Sequence, residues 1–177
     1  MSRITLVTSF DEKELNKIDK VIQGIGSGLC KVPYGIDDER RYEIDNLSYH
    51  LTVFATNKEN EDKVLDIARS LDIGEIEVLV DSVHVMNGRN GSLVLYLGIV
   101  ENADIKRVQR VFYDVFKDEK YNPDKFLFHI TLHIDKNKEL VYDLERKVKE
   151  NFVPFSVRFG KLSLYNYPGE IIEELEI

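Results

Sequence analysis

Two periodicities divide the chain into predicted strands and helices. Seven stretches are rich in β-branched and other apolar residues with polar side chains between them, a pattern typical of strands. They span residues 3–10, 49–55, 75–86, 92–100, 126–134, 152–166 and 170–177. Four further stretches carry apolar residues at spacings of three and four, which predicts amphipathic helices over 11–23, 58–71, 103–117 and 137–150. The charged residues on the opposite faces of these helices indicate solvated surface.

Local signals refine three of these strands. In the third stretch the apolar alternation changes phase near Asp81 and Ser82, which predicts a β-bulge. Residues 87–91 read NGRNG and separate two apolar runs, so a hairpin is expected there. Residues 167–169 read YPG and are expected to turn the chain into its last strand.

The order of elements repeats within the chain. Residues 3–86 read strand, helix, strand, helix, strand, and residues 92–164 read the same, followed by a last strand at 170–177. Mixed strands and helices with hairpins predict an α+β fold, organised as a single domain over 1–177. Two similar units would pack most simply as two lobes about a pseudo-two-fold axis, with a cleft between them. The connection at about 24–47 breaks the symmetry and is either a lid or binding loop or a solvated linker.

One strand in each half combines a histidine with a threonine. The second strand contains His50 and Thr52 and the fifth contains His129 and Thr131, and alternation puts each pair on one face. A lone histidine in a strand is more often a core residue, but these two occupy equivalent places in the repeat. Two facing imidazoles can divide proton transfer, one accepting and one donating, while two hydroxyls hold the oxygens of a phosphate. These parts suit cleavage of a phosphodiester, with either histidine as the base.

The motifs HLTV at 50–53 and HITL at 129–132 resemble the paired His-x-Thr/Ser-x motifs of the 2H phosphoesterase superfamily, which includes bacterial RNA 2′-5′ ligases and cyclic nucleotide phosphodiesterases. The resemblance covers almost the whole chain, because the duplicated order of strands and helices matches too. It implies a bilobal fold, catalysis by the two histidines without a metal or other cofactor, and chemistry on 2′,3′-cyclic or 2′-5′ phosphodiester bonds. The expected activity is hydrolysis of such a bond in a small nucleotide or an RNA end.

Two alternatives stay open at this point. A non-catalytic module would use the same pocket to bind a nucleotide or an RNA end without turnover. A metal-dependent hydrolase would use His129 together with His133, which strict alternation puts on the same face, although no cluster of acidic or cysteine ligands accompanies the pair. Outside that alternative, His133 is interpreted as a residue that supports the site or the fold, and His84 falls in the third strand without an assigned role.

Further substrate-binding candidates come from the long connection and the C-terminal region. Some bacterial ligase-like members of the family carry an arginine soon after the second motif, whereas this chain reads HID at 133–135. Cations elsewhere are expected to supply that charge, and aromatic side chains to stack on a base. The candidates are Lys31, Arg40 and Arg41 for charge and Tyr34 and Tyr167 for stacking, with Tyr165 as a further aromatic candidate.

The bulk composition narrows the partners and the compartment. The 177 residues carry a formal net charge of −8, which argues against a groove for duplex nucleic acid and favours a small nucleotide or a single-stranded RNA end. The single cysteine, Cys30, excludes an internal disulfide and favours a reducing compartment. No apolar run reaches the length of a membrane span, and Asp11 comes too early for a signal peptide. A cytoplasmic protein without membrane contact is therefore expected, and the sequence gives no oligomeric state.

Overall fold

The computed structural model describes residues 3–23, 49–166 and 170–177. Eight strands and four α-helices occupy these ranges and follow the predicted order, with the stretch 152–166 divided into two strands at Gly160. The strands are β1 (Arg3–Ser9), β2 (Thr52–Asn57), β3 (Ile76–Asn87), β4 (Leu93–Ile99), β5 (His129–Asp135), β6 (Phe155–Phe159), β7 (Lys161–Asn166) and β8 (Ile171–Glu176). The helices are α1 (Glu12–Ile22), α2 (Glu61–Arg69), α3 (Ala103–Phe116) and α4 (Lys138–Asn151). Among the described residues, no helix combines the length and apolar character needed to cross a bilayer.

The strands form two antiparallel sheets of four strands each. One sheet has the order β2-β1-β7-β8 and the other the order β5-β4-β3-β6. The predicted α+β fold with two lobes is confirmed. The sheets do not coincide with the two halves of the sequence, because β3 joins the second sheet while β7 and β8 return to the first. In both sheets the strand that carries a His-Thr motif lies at an edge, beside a strand from its own half.

Two predicted local features, a bulge and a hairpin, are present in the second sheet. The register of β3 against β4 jumps from the pair Val80–Ile99 to the pair Ser82–Gly98, which confirms the bulge. The hairpin between β3 and β4 is also confirmed, and Asn90 and Gly91 at its turn adopt φ angles of 53° and 77°. Asn and Gly are the residues that adopt positive φ most readily, so the NGRNG sequence fixes this turn locally.

Helices bury their apolar stripes against one face of each sheet. The stripe of α4 is formed by Val141, Leu144 and Val148, which are buried against the second sheet. Helix α3 reaches the first sheet, where the ring of Phe112 stacks on that of Phe54 with centroids 5.4 Å apart. A fully buried aromatic or aliphatic side chain contributes about 1.5–3 kcal/mol through burial. This packing fixes which face of each sheet is core and leaves the other face for polar side chains.

Candidate active site

The two motif strands meet at a single residue pair. Leu51, directly before β2, forms an isolated antiparallel bridge with Ile130 of β5, so the edges of the two sheets touch at this point. The side chains of Leu51 and Ile130 are both 0% exposed. Successive side chains in a strand point to opposite faces, so the residues that flank this pair point away from the core.

The flanking residues define a surface that we call the motif face. It carries four side chains: His50, Thr52, His129 and Thr131. Because the bridge is antiparallel, His50 lies across from Thr131, and Thr52 lies across from His129. In a regular antiparallel pair, residues directly opposite have Cβ atoms about 4.5–5.5 Å apart, and diagonal residues such as the two histidines about 7–8 Å. The structure therefore brings the four predicted residues together. The two histidines lie diagonally across from each other, and so do the two threonines.

Thr8 of β1 holds the strand beside His50. The backbone amide of Leu51 donates to Thr8 Oγ1 at 2.9 Å, and the backbone amide of Thr8 donates to the Leu51 carbonyl at 3.0 Å. Thr8 is 2% exposed, so these hydrogen bonds are shielded from water. The backbone next to His50 is fixed from both sides, by β1 and by the bridge to Ile130.

The surroundings of His129 determine its protonation and its tautomer. Burial lowers the pKa of His129 below its ordinary value of 6.5, and a hydrogen bond to the Leu127 carbonyl partly opposes this effect. His129 Nδ1 lies 2.8 Å from that carbonyl oxygen. Because a carbonyl oxygen only accepts, Nδ1 carries the proton in the neutral ring and Nε2 keeps its lone pair. Neutral His129 is thus a proton acceptor through Nε2.

Tyr96 of β4 packs against the ring of His129. The two ring centroids are 5.4 Å apart, with an edge-to-face angle of 67°. Tyr96 also contacts the ring of His84, with centroids 5.7 Å apart. Tyr96 was not predicted from the sequence, although it and Gly98 are the residues of β4 that face Thr131 and His129 in the register. The signal was present in LVLYLGI, where a tyrosine and a glycine two residues apart interrupt an aliphatic strand.

A pocket of about 160 Å³ opens beside His50. Its lining comes from four separate segments of the first lobe: Val7, Thr8, Ser9, Phe10, His50, Ser163, Tyr165, Ile171 and Glu174. The hydroxyls of Ser9 and Ser163 are hydrogen-bonded to each other. The pKa of Tyr165 is raised, first by burial and then by the charge of Glu174, whereas a hydrogen bond with Ser163 opposes the shift. Of these side chains, only His50 and Tyr165 were singled out from the sequence.

One prediction about the second motif is wrong. Strict alternation placed His133 on the face of His129 and Thr131, but the register of β5 against β4 shifts between Leu95 and Tyr96. His133 consequently pairs with Leu95, whose side chain is in the core, and is itself buried, with Nε2 3.6 Å from Asp135 Oδ2. His129 and His133 point to opposite faces, so they cannot bind one metal ion together. Nowhere in the described ranges do three or more His, Cys, Asp or Glu side chains form a group able to hold a metal.

Five predicted substrate-binding residues lie outside the described residues. They are Lys31, Tyr34, Arg40, Arg41 and Tyr167. Their assignment therefore stays a prediction.

Known proteins share this fold at low sequence identity. LigT of E. coli complexed with 3′-AMP superimposes with a TM-score of 0.58 at 14% identity, covering 99% of this chain and 95% of that chain. Usb1 of Kluyveromyces marxianus gives 0.54 at 14% identity, with 99% and 97% covered. TT0787 of Thermus thermophilus gives 0.59 at 13% identity, with 98% and 97% covered. At such identities the likeness establishes the fold alone.

Sequence comparison adds the family. A search of curated proteins found no match. The model of the 2′-5′ RNA ligase superfamily matches residues 36–170, which include both His-Thr motifs and more than half of the chain. The match agrees with the resemblance to 2H phosphoesterases that the two motifs carry. The chain belongs to the 2′-5′ RNA ligase superfamily.

Proposed function

We propose that this protein is a metal-independent phosphodiesterase that hydrolyses 2′,3′-cyclic or 2′-5′ phosphodiester bonds in a small nucleotide or a single-stranded RNA end. The observation that carries the proposal is the bridge between Leu51 and Ile130, which sets two histidines and two threonines around one point of the motif face. Structures of the related fold of E. coli LigT with 3′-AMP, phosphate, ATP and NADP⁺ support a small nucleotide as ligand.

His129 acts as the general base in this mechanism. Its lowered pKa keeps the imidazole neutral near pH 7, and its Nδ1 proton is donated to the Leu127 carbonyl, so Nε2 keeps the lone pair that a base needs. Nε2 takes a proton from water as the water oxygen attacks phosphorus. This assignment distinguishes two histidines that the sequence alone leaves equivalent.

His50 acts as the general acid. The bond between phosphorus and the leaving oxygen breaks, and the imidazolium of His50 gives its proton to that oxygen. One water is consumed, and a cyclic phosphate becomes a phosphate monoester with a free hydroxyl. Thr52 and Thr131 donate hydrogen bonds to the non-bridging oxygens, which carry the negative charge in the transition state.

The test is hydrolysis of 2′,3′-cyclic nucleotides and of 2′-5′-linked dinucleotides, with identification of the products. His50→Ala and His129→Ala are each expected to lower kcat by roughly 10²–10⁴-fold, the usual contribution of a positioned acid or base. The double variant should be only slightly slower than the slower single variant, because the pair acts as a unit. His133→Leu is the matched control, since it removes an imidazole from the same strand on the opposite face.

Two outcomes would reject the proposal. Undiminished turnover in stable His50→Ala and His129→Ala variants would show that these imidazoles transfer no proton. Tight binding of the nucleotides by the wild type without any product would instead identify a binding module built on the same site.

A further inference from the structure

The pocket beside His50 differs in charge from a phosphate site. Its lining includes the carboxylate of Glu174 and four hydroxyl groups, which come from Thr8, Ser9, Ser163 and Tyr165. A carboxylate repels a phosphate and accepts hydrogen bonds from N–H and O–H groups. The chemistry of this lining suits a neutral, donor-rich part of the substrate, next to the leaving oxygen that His50 would protonate.

The size and walls of the pocket limit that part to one ring system. Its volume of about 160 Å³ lies below the range of about 300–1,000 Å³ for sites that hold drug-sized ligands. Phe10 and Tyr165 are nearly buried in its wall, whereas Ile171 is 52% exposed at its mouth. Aromatic and aliphatic surface beside polar groups is the usual environment for a planar base.

An ion pair with Lys161 holds the side chain of Glu174 in position. Lys161 Nζ lies 3.2 Å from Glu174 Oε1 and also 3.2 Å from Glu176 Oε1, so the ammonium bridges two carboxylates of β8. Each carboxylate oxygen has two lone pairs, and Glu174 therefore keeps acceptor capacity on both oxygens when Lys161 is bound.

We propose, on the basis of the proposed function, that this pocket is a nucleobase subsite in which Glu174 selects guanine. Guanine presents two adjacent donors, N1–H and the N2 amino group, which match the two oxygens of a carboxylate. Adenine and cytosine present one amino group beside an unprotonated ring nitrogen, which would face a carboxylate oxygen as a second acceptor. Uracil presents one N–H between two carbonyl oxygens. Guanine alone satisfies both oxygens of Glu174.

The experiment compares kcat/KM for the 2′,3′-cyclic phosphates of guanosine, adenosine, cytidine and uridine. The guanosine substrate is expected to be preferred by about tenfold or more, the discrimination given by one good bidentate contact. Glu174→Gln should remove most of that preference, because an amide replaces one acceptor with a donor. Glu176→Gln is the matched control: it alters the same lysine bridge but lies outside the pocket lining, and should keep the preference.

Inosine 2′,3′-cyclic phosphate tests the geometry, because it keeps N1–H and lacks the amino group. An intermediate kcat/KM supports the two-point contact. Equal turnover of all four nucleotides, or a guanine preference that survives Glu174→Gln in a folded protein, would overturn the subsite and leave the phosphodiesterase intact.

A binding measurement tests the subsite even if the protein turns over none of these substrates. Guanosine and adenosine 3′-monophosphates would then be titrated into the wild type and the Glu174→Gln variant by calorimetry. Tighter binding of the guanine nucleotide that depends on Glu174 would support the subsite while the proposed activity fails. Equal affinities would overturn the subsite as well.

Discussion

Protonation of His129 is expected to set the acid limb of the pH–rate profile. A general base works only when neutral, so kcat/KM should fall about tenfold for each pH unit below the pKa of His129 in the free enzyme. Burial lowers that pKa below 6.5, which places the limb on the acid side of an ordinary histidine. A bound phosphate favours the charged imidazole, so the limb seen in kcat should lie at higher pH than the one seen in kcat/KM.

The lowered pKa of His129 also makes the stability of the protein depend on pH. Below about pH 6.5 the unfolded chain binds a proton at His129 before the folded protein does. The free energy of unfolding therefore falls as the pH drops from 6.5 towards the pKa of the folded state, with a slope of at most about 1.4 kcal/mol per pH unit. Above pH 6.5 both states are neutral at this residue, and it contributes no pH dependence. His129→Asn should remove this part of the acid destabilisation.

Substitution of Tyr96 tests how burial affects the pKa of His129. The ring of Tyr96 covers the edge of His129 at 5.4 Å, so Tyr96→Ala should admit water and raise the pKa of His129 towards 6.5. Tyr96→Phe keeps the ring and should leave that pKa in place. Tyr96 is only 7% exposed, and its truncation should also cost about 3–5 kcal/mol of stability, so both variants are measured at a temperature where they are folded.

The assay combines NMR titration of the four histidines with kcat/KM measured from pH 5 to 9. The His129 signal is assigned by its absence in His129→Asn. An imidazole pKa above 6.5 at His129 in the free protein would refute the reasoning about burial. An acid limb of kcat/KM that does not coincide with the pKa of His129 measured by NMR would refute the assignment of His129 as the base.

Three further predictions concern the threonines, metals and His133. Thr52→Val and Thr131→Val should each reduce kcat/KM less than loss of a histidine and act partly through KM, because the phosphate is charged before and during the reaction; equal loss with the histidine variants would contradict this. Since two imidazoles supply both proton transfers, EDTA should leave kcat unchanged, and loss of activity restored by zinc or manganese would contradict the mechanism. His133 has both ring nitrogens buried without a hydrogen-bond partner among the described residues, so His133→Leu should leave the melting temperature unchanged or raise it by a few degrees, as calorimetry would show. A fall of several degrees would mean that the contact with Asp135 stabilises the protein.

The local sequence determined the elements and the composition of the motif face. Strand and helix periods are properties of neighbouring residues, which is why the four helices and the strands of the described ranges lie within the predicted stretches, although the stretch 152–166 holds two strands instead of one. His50 shares a strand face with Thr52, and His129 with Thr131, because of the two-residue repeat of a strand, which needs no partner strand. The turn at Asn90 and Gly91 is equally local, because it depends on which residues adopt positive φ.

Two register shifts in the second sheet show where this local information ends. The bulge near Ser82 was visible because the apolar pattern of β3 itself changes phase. The shift opposite Leu95 and Tyr96 left no trace, because FHITLHI alternates without interruption. Register depends on the partner strand, and a slip of one residue moves a side chain to the other face. His133 therefore lies in the core although its own strand predicts otherwise.

Tertiary structure decided everything that joins distant segments. The bridge between Leu51 and Ile130 depends on two sheets packing edge to edge, and the pocket beside His50 gathers residues from β1, β7 and β8. The contact of His129 with the Leu127 carbonyl and with Tyr96, which distinguishes the base from the acid, also exists only in the folded chain. The physical reason is that hydrogen bonding, burial and charge act over a few ångströms of space, whatever the separation along the sequence.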